Sequence, residues 1–210
     1  MAALHEEDGS GRWLSPTASP LSGVWSVTDD AVYVIEMPPP HIRLVALDSA
    51  TGARRWESDS FDGTPADLTA AGETVFLRTT ERQLHAVDTH SGRTRWSAVG
   101  ISRPPTMADG RVLLVRNARM LLAVDPATGQ DVWPRRPSNG TLLIAPLVTD
   151  GAIYTIGHTG LTARNAATGR ALGSPYNMSL SPDDHGTPVM LDGVLYFTNA
   201  RREVEAVCLN

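Results

Sequence analysis

The chain has 210 residues, 41% hydrophobic and 20% charged, a composition that supports a packed globular core and argues against disorder. A formal net charge of −5 offers no clustered positive charge to a nucleic-acid backbone or an anionic membrane surface, so neither is a predicted partner. All 18 basic residues are arginine, a sign of GC-rich coding, and Cys208 is the single cysteine; this excludes Schiff-base and phosphate-loop lysines, an internal disulfide and a cysteine-rich zinc site.

At the start, Met1 to Asp8 lacks the basic region and apolar run of a secretory signal, and no stretch approaches eighteen apolar residues, so the chain as written is predicted to be cytoplasmic and not inserted in a membrane. Met1 itself falls inside a repeat. An extracytoplasmic location follows if a signal or a membrane-anchored portion precedes it.

The repeat then organises everything downstream. Residues 3–13 carry a first partial copy, Ala3-Leu-His-Glu-Glu-Asp-Gly9-Ser-Gly-Arg-Trp13. Complete copies follow as Leu44-Val-Ala-Leu-Asp-Ser-Ala-Thr-Gly52 to Trp56, Leu84-His-Ala-Val-Asp-Thr-His-Ser-Gly92 to Trp96, and Leu121-Leu-Ala-Val-Asp-Pro-Ala-Thr-Gly129 to Trp133. A weaker copy over Leu161 to Gly173 keeps Thr168-Gly169 but lacks the tryptophan. The four glycines Gly52, Gly92, Gly129 and Gly169 are 40, 37 and 40 residues apart, the length of a four-stranded propeller blade. Between them recur hairpin signatures at Asp109-Gly110, Asp150-Gly151 and Asp192-Gly193, with looser forms at Asp30 and Gly72. Pro105, Pro146 and Pro188 each sit four residues before an Asp-Gly turn. Proline cannot donate to a ladder, so these segments are predicted to be inner edge strands.

These signals predict an all-β chain of antiparallel four-stranded blades in one domain, 1–210. The predicted blades span 22–58, 65–98, 104–134 and 143–173, and partial blades over 1–15 and 187–208 form a fifth, split between the termini. Pairing of the strand around Trp13 with residues 203–208 would close a ring; otherwise the blades form an open arc. In each Asp-x-x-Thr-Gly turn the aspartate bonds amides ahead of it and the glycine takes positive φ. Trp13, Trp56, Trp96 and Trp133 are then predicted to dock on the neighbouring blade.

The motif Leu-x-Ala-Leu-Asp-x-x-Thr-Gly-x-x-x-Trp resembles the quinoprotein-like (PQQ-like) propeller repeats over nearly the whole chain. That family includes quinone-dependent alcohol dehydrogenases, the outer-membrane assembly lipoprotein BamB and sensor domains of actinobacterial serine/threonine kinases. The dehydrogenases resemble this chain only in the repeat. They carry a vicinal cysteine pair that a chain with one cysteine lacks, so no quinone or other cofactor and no catalytic residue is assigned.

Blade geometry places the Asp-Gly and Thr-Gly turns at one end and the variable connections at the other. Candidate binding residues at the variable end are His41 within Glu36 to Ile42, Arg103, Arg119, Arg135, Arg136, His158, and Tyr176, Asp184 and His185 in the loop from Ser174 to Gly186. Phe61, Asp62 and Asn117 belong to the same connections. Trp25, on an inner strand, is a candidate for channel contact as well as for core packing. Asp183-Asp184-His185 holds metal-donor types at consecutive positions that cannot easily converge on one ion, so no metal is predicted. The expected function is a non-catalytic module that recognises a protein or peptide segment, or a small effector. The alternative is a truncated fragment of a larger repeat protein, such as a quinone-dependent dehydrogenase or a kinase sensor domain.

Overall fold

The structure is a computed structural model that describes every residue except 5, 6, 18, 135, 136, 138, 139, 158, 159, 178–187, 199, 200, 202 and 210. Its strands are β1 (Ala2–Leu4), β2 (Gly11–Leu14), β3 (Leu21–Val27), β4 (Ala31–Glu36), β5 (Ile42–Asp48), β6 (Arg54–Phe61), β7 (Pro65–Ala71), β8 (Thr74–Thr79), β9 (Gln83–Asp88), β10 (Thr94–Val99), β11 (Thr106–Ala108), β12 (Arg111–Arg116), β13 (Met120–Val124), β14 (Leu147–Thr149), β15 (Ala152–Gly157), β16 (Gly160–Asn165), β17 (Val189–Leu191), β18 (Val194–Thr198) and β19 (Val204–Cys208). No helix occurs among the described residues, so none is long and apolar enough to cross a membrane.

Every sheet is an antiparallel meander of sequence neighbours: β3 to β6, β7 to β10, β11 to β13, β14 to β16, β17 to β19, and the hairpin β1–β2. Local pairing of this kind follows from the tight turns. Asp109, Asp150 and Asp192 take φ of 47°, 47° and 49°, and the glycines after them 73°, 71° and 72°, the left-handed pair that matches the twist of a two-residue hairpin. The second strands are apolar at nearly every position because both faces are covered. In β4, Ala31, Tyr33 and Ile35 join one cluster with Leu68, Val75 and Leu77. Val32 and Val34 join another, against Trp13 and Leu21.

Contacts divide the chain into two compact units, Met1–Ile101 with Pro126–Gly129, and Ser102–Asp125 with Gln130–Asn210. In the first unit both blades have a full outer strand, β6 and β10. In the second, among the described residues, the outer strand is reduced to isolated bridges, Val124 to Asp131 on β13, and Arg164 to Ala171 and Leu161 to Tyr176 on β16. The sequence explains this departure from the expected four strands. Pro134 follows Trp133, and Gly173 and Pro175 follow the bridge at Ala171, so donors and strand propensity are lost where β6 and β10 continue.

β2 pairs with β1, and the strand over 203–208 pairs with β18; a hairpin partner a few residues away costs little loop-closure entropy. One further expectation is corrected. Glu36, Ile42 and Phe61, expected on variable loops, are buried strand ends. Glu36 Oε1 lies 2.6 Å from an Arg54 nitrogen, which satisfies its charge.

Candidate functional site

The turn end of each blade is built from one repeated device. The aspartate or asparagine that ends the third strand accepts hydrogen bonds from amides two and three residues on: Asp48 from Ala50 and Thr51, Asp88 from His90 and Ser91, and Asn165 from Thr168. This folds the chain so that the glycine after it adopts φ near 70° and leaves its Cα face bare. An indole from the preceding copy lies on that face. A Cβ added to Gly52, Gly92, Gly129 or Gly169 would come within 2.5, 2.6, 2.6 and 2.7 Å of Trp13, Trp56, Trp96 and Trp133, respectively. Each indole Nε1 donates to the carbonyl one residue after the turn's acidic or amide residue, at Ser49, Thr89, Pro126 and Ala166, over 2.9, 2.6, 2.9 and 3.0 Å. Aromatic area and a satisfied N–H are thus used together, once per blade junction.

Arginines brace this end in the first two blades. Arg55 spans Asp48 and Asp30 at 2.7 and 2.8 Å, and Arg95 spans Asp88 and Glu73. The Arg55 guanidinium, together with Thr51, lowers the Asp48 carboxyl to about 2. Arg95 and Ser91 hold Asp88 well below the usual carboxylate range. A cleft of about 360 Å³ beside these turns is lined by Tyr33, Arg55, Trp56, Gly72, Thr89 and His90, among others. The cleft and its arginines were not singled out from the sequence, although the signal was present: Arg-Trp recurs at 12–13, 55–56 and 95–96, seven residues after Asp48 and Asp88, while Val132 and Leu172 stand at that position in the next two copies.

The loop ends differ from blade to blade. In the first unit, residues 37–41 connect β4 to β5 through a cis Pro39–Pro40 peptide, and His41 Nδ1 lies 2.8 Å from Asp62 Oδ1 with both side chains exposed. This joins the connections after the second and fourth strands of one blade. Trp25 lies on β3 with 59% of its surface exposed. In the second unit, Asn117 and Ala118 take φ of 51° and 55° in a tight turn closed by Arg119 N to Arg116 O at 3.1 Å. A left-handed alanine is strained, and it is held by bonds from Leu142 N to its carbonyl and from its amide to the Ser102 hydroxyl. Arg103 donates to the carbonyls of Ser102 and Leu142 at 3.1 and 3.3 Å, so it ties backbone together. Arg119 and Tyr176 are exposed, and the Tyr176 backbone exchanges two bonds with Leu161. Arg135, Arg136, His158, Asp184 and His185 lie outside the described residues. Among the described residues no group of three or more His, Cys, Asp or Glu side chains converges as a metal site.

A family model described as outer membrane protein assembly factor BamB matches residues 1–210. Comparison with curated proteins finds no match. Among solved structures, BamB from Moraxella catarrhalis superposes with a TM-score of 0.70 at 23% identity over 96% of this chain and 62% of its own. The computationally designed Ika8 protein gives 0.67 at 11% identity over 95% and 62%. The quinohemoprotein alcohol dehydrogenase ADHIIG from Pseudomonas putida HK5 gives 0.62 at 16% over 94% and 42%. At such identities the likeness shows the fold, a β-propeller, and the chain spans less than two thirds of each of these structures. One blade architecture serves an assembly factor, a designed protein and a dehydrogenase, so function has to be argued from the site.

Proposed function

The chain belongs to the PQQ-like repeat family described as outer membrane protein assembly factor BamB, and on that premise we propose that it is a non-catalytic binding module that recognises a protein segment through the loop ends of its blades. The observation that carries this reading is the division of labour within each blade. At the turn end, polar groups are committed to one another: aspartates to turn amides and arginines, indole N–H groups to backbone carbonyls. At the loop end, side chains of differing chemistry stand exposed on rigid strand ends, with His41 and Asp62 in one unit and Arg119 and Tyr176 in the other. Variable chemistry on a fixed scaffold is the usual basis of recognition.

The test is selection of peptides from a random displayed library on the purified chain, followed by fluorescence polarisation with the selected peptide. His41→Ala, Asp62→Ala and Arg119→Ala should weaken its binding about tenfold or more where they make hot-spot contacts. Arg55→Leu and Arg95→Leu, at the turn end, should leave it unchanged. Unaltered affinity in all three loop-end variants, with loss in a folded turn-end variant, would contradict the reading.

A further inference from the structure

At the turn end, the junction between the first and second blades departs from the repeat at two positions. In the second blade Thr74 begins β8 opposite Asp88. Its hydroxyl accepts an Arg95 N–H at 3.3 Å and donates to the Pro126 carbonyl of the next turn over 3.4 Å, so it bridges its own junction. The equivalent position in the first blade, opposite Asp48, is Ala31, which has no group to span the gap. The second departure is His90, at the turn position held by Ala50, Ala127 and Ala167 in three other copies.

The cleft of about 360 Å³ lies at this junction, and its size falls within the range of small-molecule sites. Tyr33 and Trp56, with ring centroids 5.9 Å apart, supply an aromatic wall. Gly72, with nothing within 4 Å of its would-be Cβ, leaves one side clear. Among the described residues that line the cleft, Asp30 and Arg55 are the acidic and the basic side chain, and they pair at 2.8 Å. Arg55 holds the Asp30 carboxyl below its usual range, so both stay ionised and cancel. The pair still has bonding capacity. Arg55 spends three of its five N–H groups, on Asp48 and Asp30. Each Asp30 oxygen accepts one bond, from Thr28 and from Arg55, and keeps a lone pair. His90 Nδ1 lies 3.3 Å from the Thr89 hydroxyl, which leaves the far imidazole nitrogen for another bond.

We propose that this cleft binds a neutral polyhydroxy ring, a sugar, with hydroxyl groups on the Asp30–Arg55 pair and on His90 and its apolar face against Trp56. A charged ligand would meet attraction from one member of the pair and repulsion from the other. Hydroxyl groups suit a lining that offers both donors and acceptors, because each can donate and accept at once, and bonds to ionised groups are the stronger ones. An aromatic wall takes up the C–H face of a ring. The site lies at the opposite end of the blades from His41, Asp62 and Arg119, where the protein-segment reading is tested, so either can fail without the other.

The experiment is isothermal titration of the purified chain with glucose, galactose, mannose, maltose and dextran, with acetate and tetramethylammonium as charged controls. At least one of the sugars should bind saturably, one site per chain, and neither control should. Equal affinity for a hexose and for dextran marks a free sugar as the ligand, and tighter binding of maltose or dextran marks a glycan chain. His90→Ala and Ala31→Thr install residues that other blades use at the same positions, and Asp30→Asn alters a side chain that is 72% exposed, so all three should fold. His90→Ala should weaken sugar binding about threefold to tenfold and Asp30→Asn about tenfold or more, as expected for loss of neutral and charge-assisted hydrogen bonds. Ala31→Thr should abolish it by bridging the junction. Absence of saturable sugar binding to the unaltered chain, binding of acetate or tetramethylammonium at the same site, or undiminished affinity in folded Ala31→Thr or Asp30→Asn would overturn the assignment.

Discussion

The two ends of a blade obey different rules. At the turn end, four copies repeat one geometry to within a few tenths of an ångström, from the bond lengths at the indole nitrogens to the glycine φ of about 70°. At the loop end the described connections differ more: 37–41 passes through a cis proline, while 80–82 and 117–119 are three-residue turns closed by the same backbone bond but with left-handed φ at Arg82 in one and at Asn117 and Ala118 in the other. The difference teaches that this repeat confines its recurring stabilising contacts to one end, and on the proposed reading leaves specificity to the other. Interactions that join one blade to the next sit where the sequence is periodic, and the opposite end is released to vary.

The largest expected effect is at a dock. Trp133 is 6% exposed, so Trp133→Ala should cost about 3–5 kcal/mol of stability through lost burial and the cavity left behind, read as a lower midpoint in urea unfolding. Next is Gly169→Ala, which would place a Cβ 2.7 Å from that indole at a φ of 70°. Backbone strain in the left-handed region alone should cost about 1–2 kcal/mol, and displacement of the ring adds to it. If either substitution proved neutral, the turn end would not be the stabilising end.

Smaller effects are pH-dependent and separate the second blade from the rest. His85 occupies the face position held by Val45 and Leu122 in its neighbours; it stacks on Phe61 with ring centroids 4.5 Å apart, and burial lowers its pKa below 6.5. Because the unfolded chain then takes up a proton before the folded one does, stability should fall as pH drops from about 7 through 6.5 toward the depressed folded value. His85→Leu should flatten that stretch of a Tm-against-pH curve. The Asp48 and Asp88 carboxyls are also depressed. Their contribution is full above the usual aspartate range near 3.8 and is lost at lower pH, for Asp48 through about 2. Arg55→Leu and Arg95→Leu should therefore lower stability across the 5–7 range, where that contribution is full, and flatten its fall at lower pH. The smallest effect belongs to the loop end, where His41→Ala and Arg119→Ala should shift unfolding by no more than about 0.5 kcal/mol.

What could be read from the sequence follows the same division. Asp-x-x-Thr-Gly and Asp-Gly are local instructions, each sufficient to set its own φ values, so strand order and blade spacing were legible before any coordinates. The tryptophans were legible because they keep step with the glycines. Strand length was not: Pro134 and Pro175 lie beyond the repeat motif, and Gly173, at the motif's tryptophan position, does not by itself give the length of the outer strand. Nor was a cavity lined by Thr155, Thr162 and Arg164 apparent, because threonine in a strand is ordinary. At the loop end, residue type marked His41 and Arg119 as exposed, but it could not show that Arg103 is engaged by two backbone carbonyls or that His41 meets Asp62 from a connection 21 residues away.

The most direct test of the central claim is hydrogen–deuterium exchange of the chain with and without a selected peptide partner. The account predicts added protection at the loop ends, within residues 37–42, 61–64 and 117–119, with the turns at 48–53, 88–93, 125–130 and 165–170 already slow and unchanged by binding. Protection that appears at those turns while the loop ends exchange as before would contradict it.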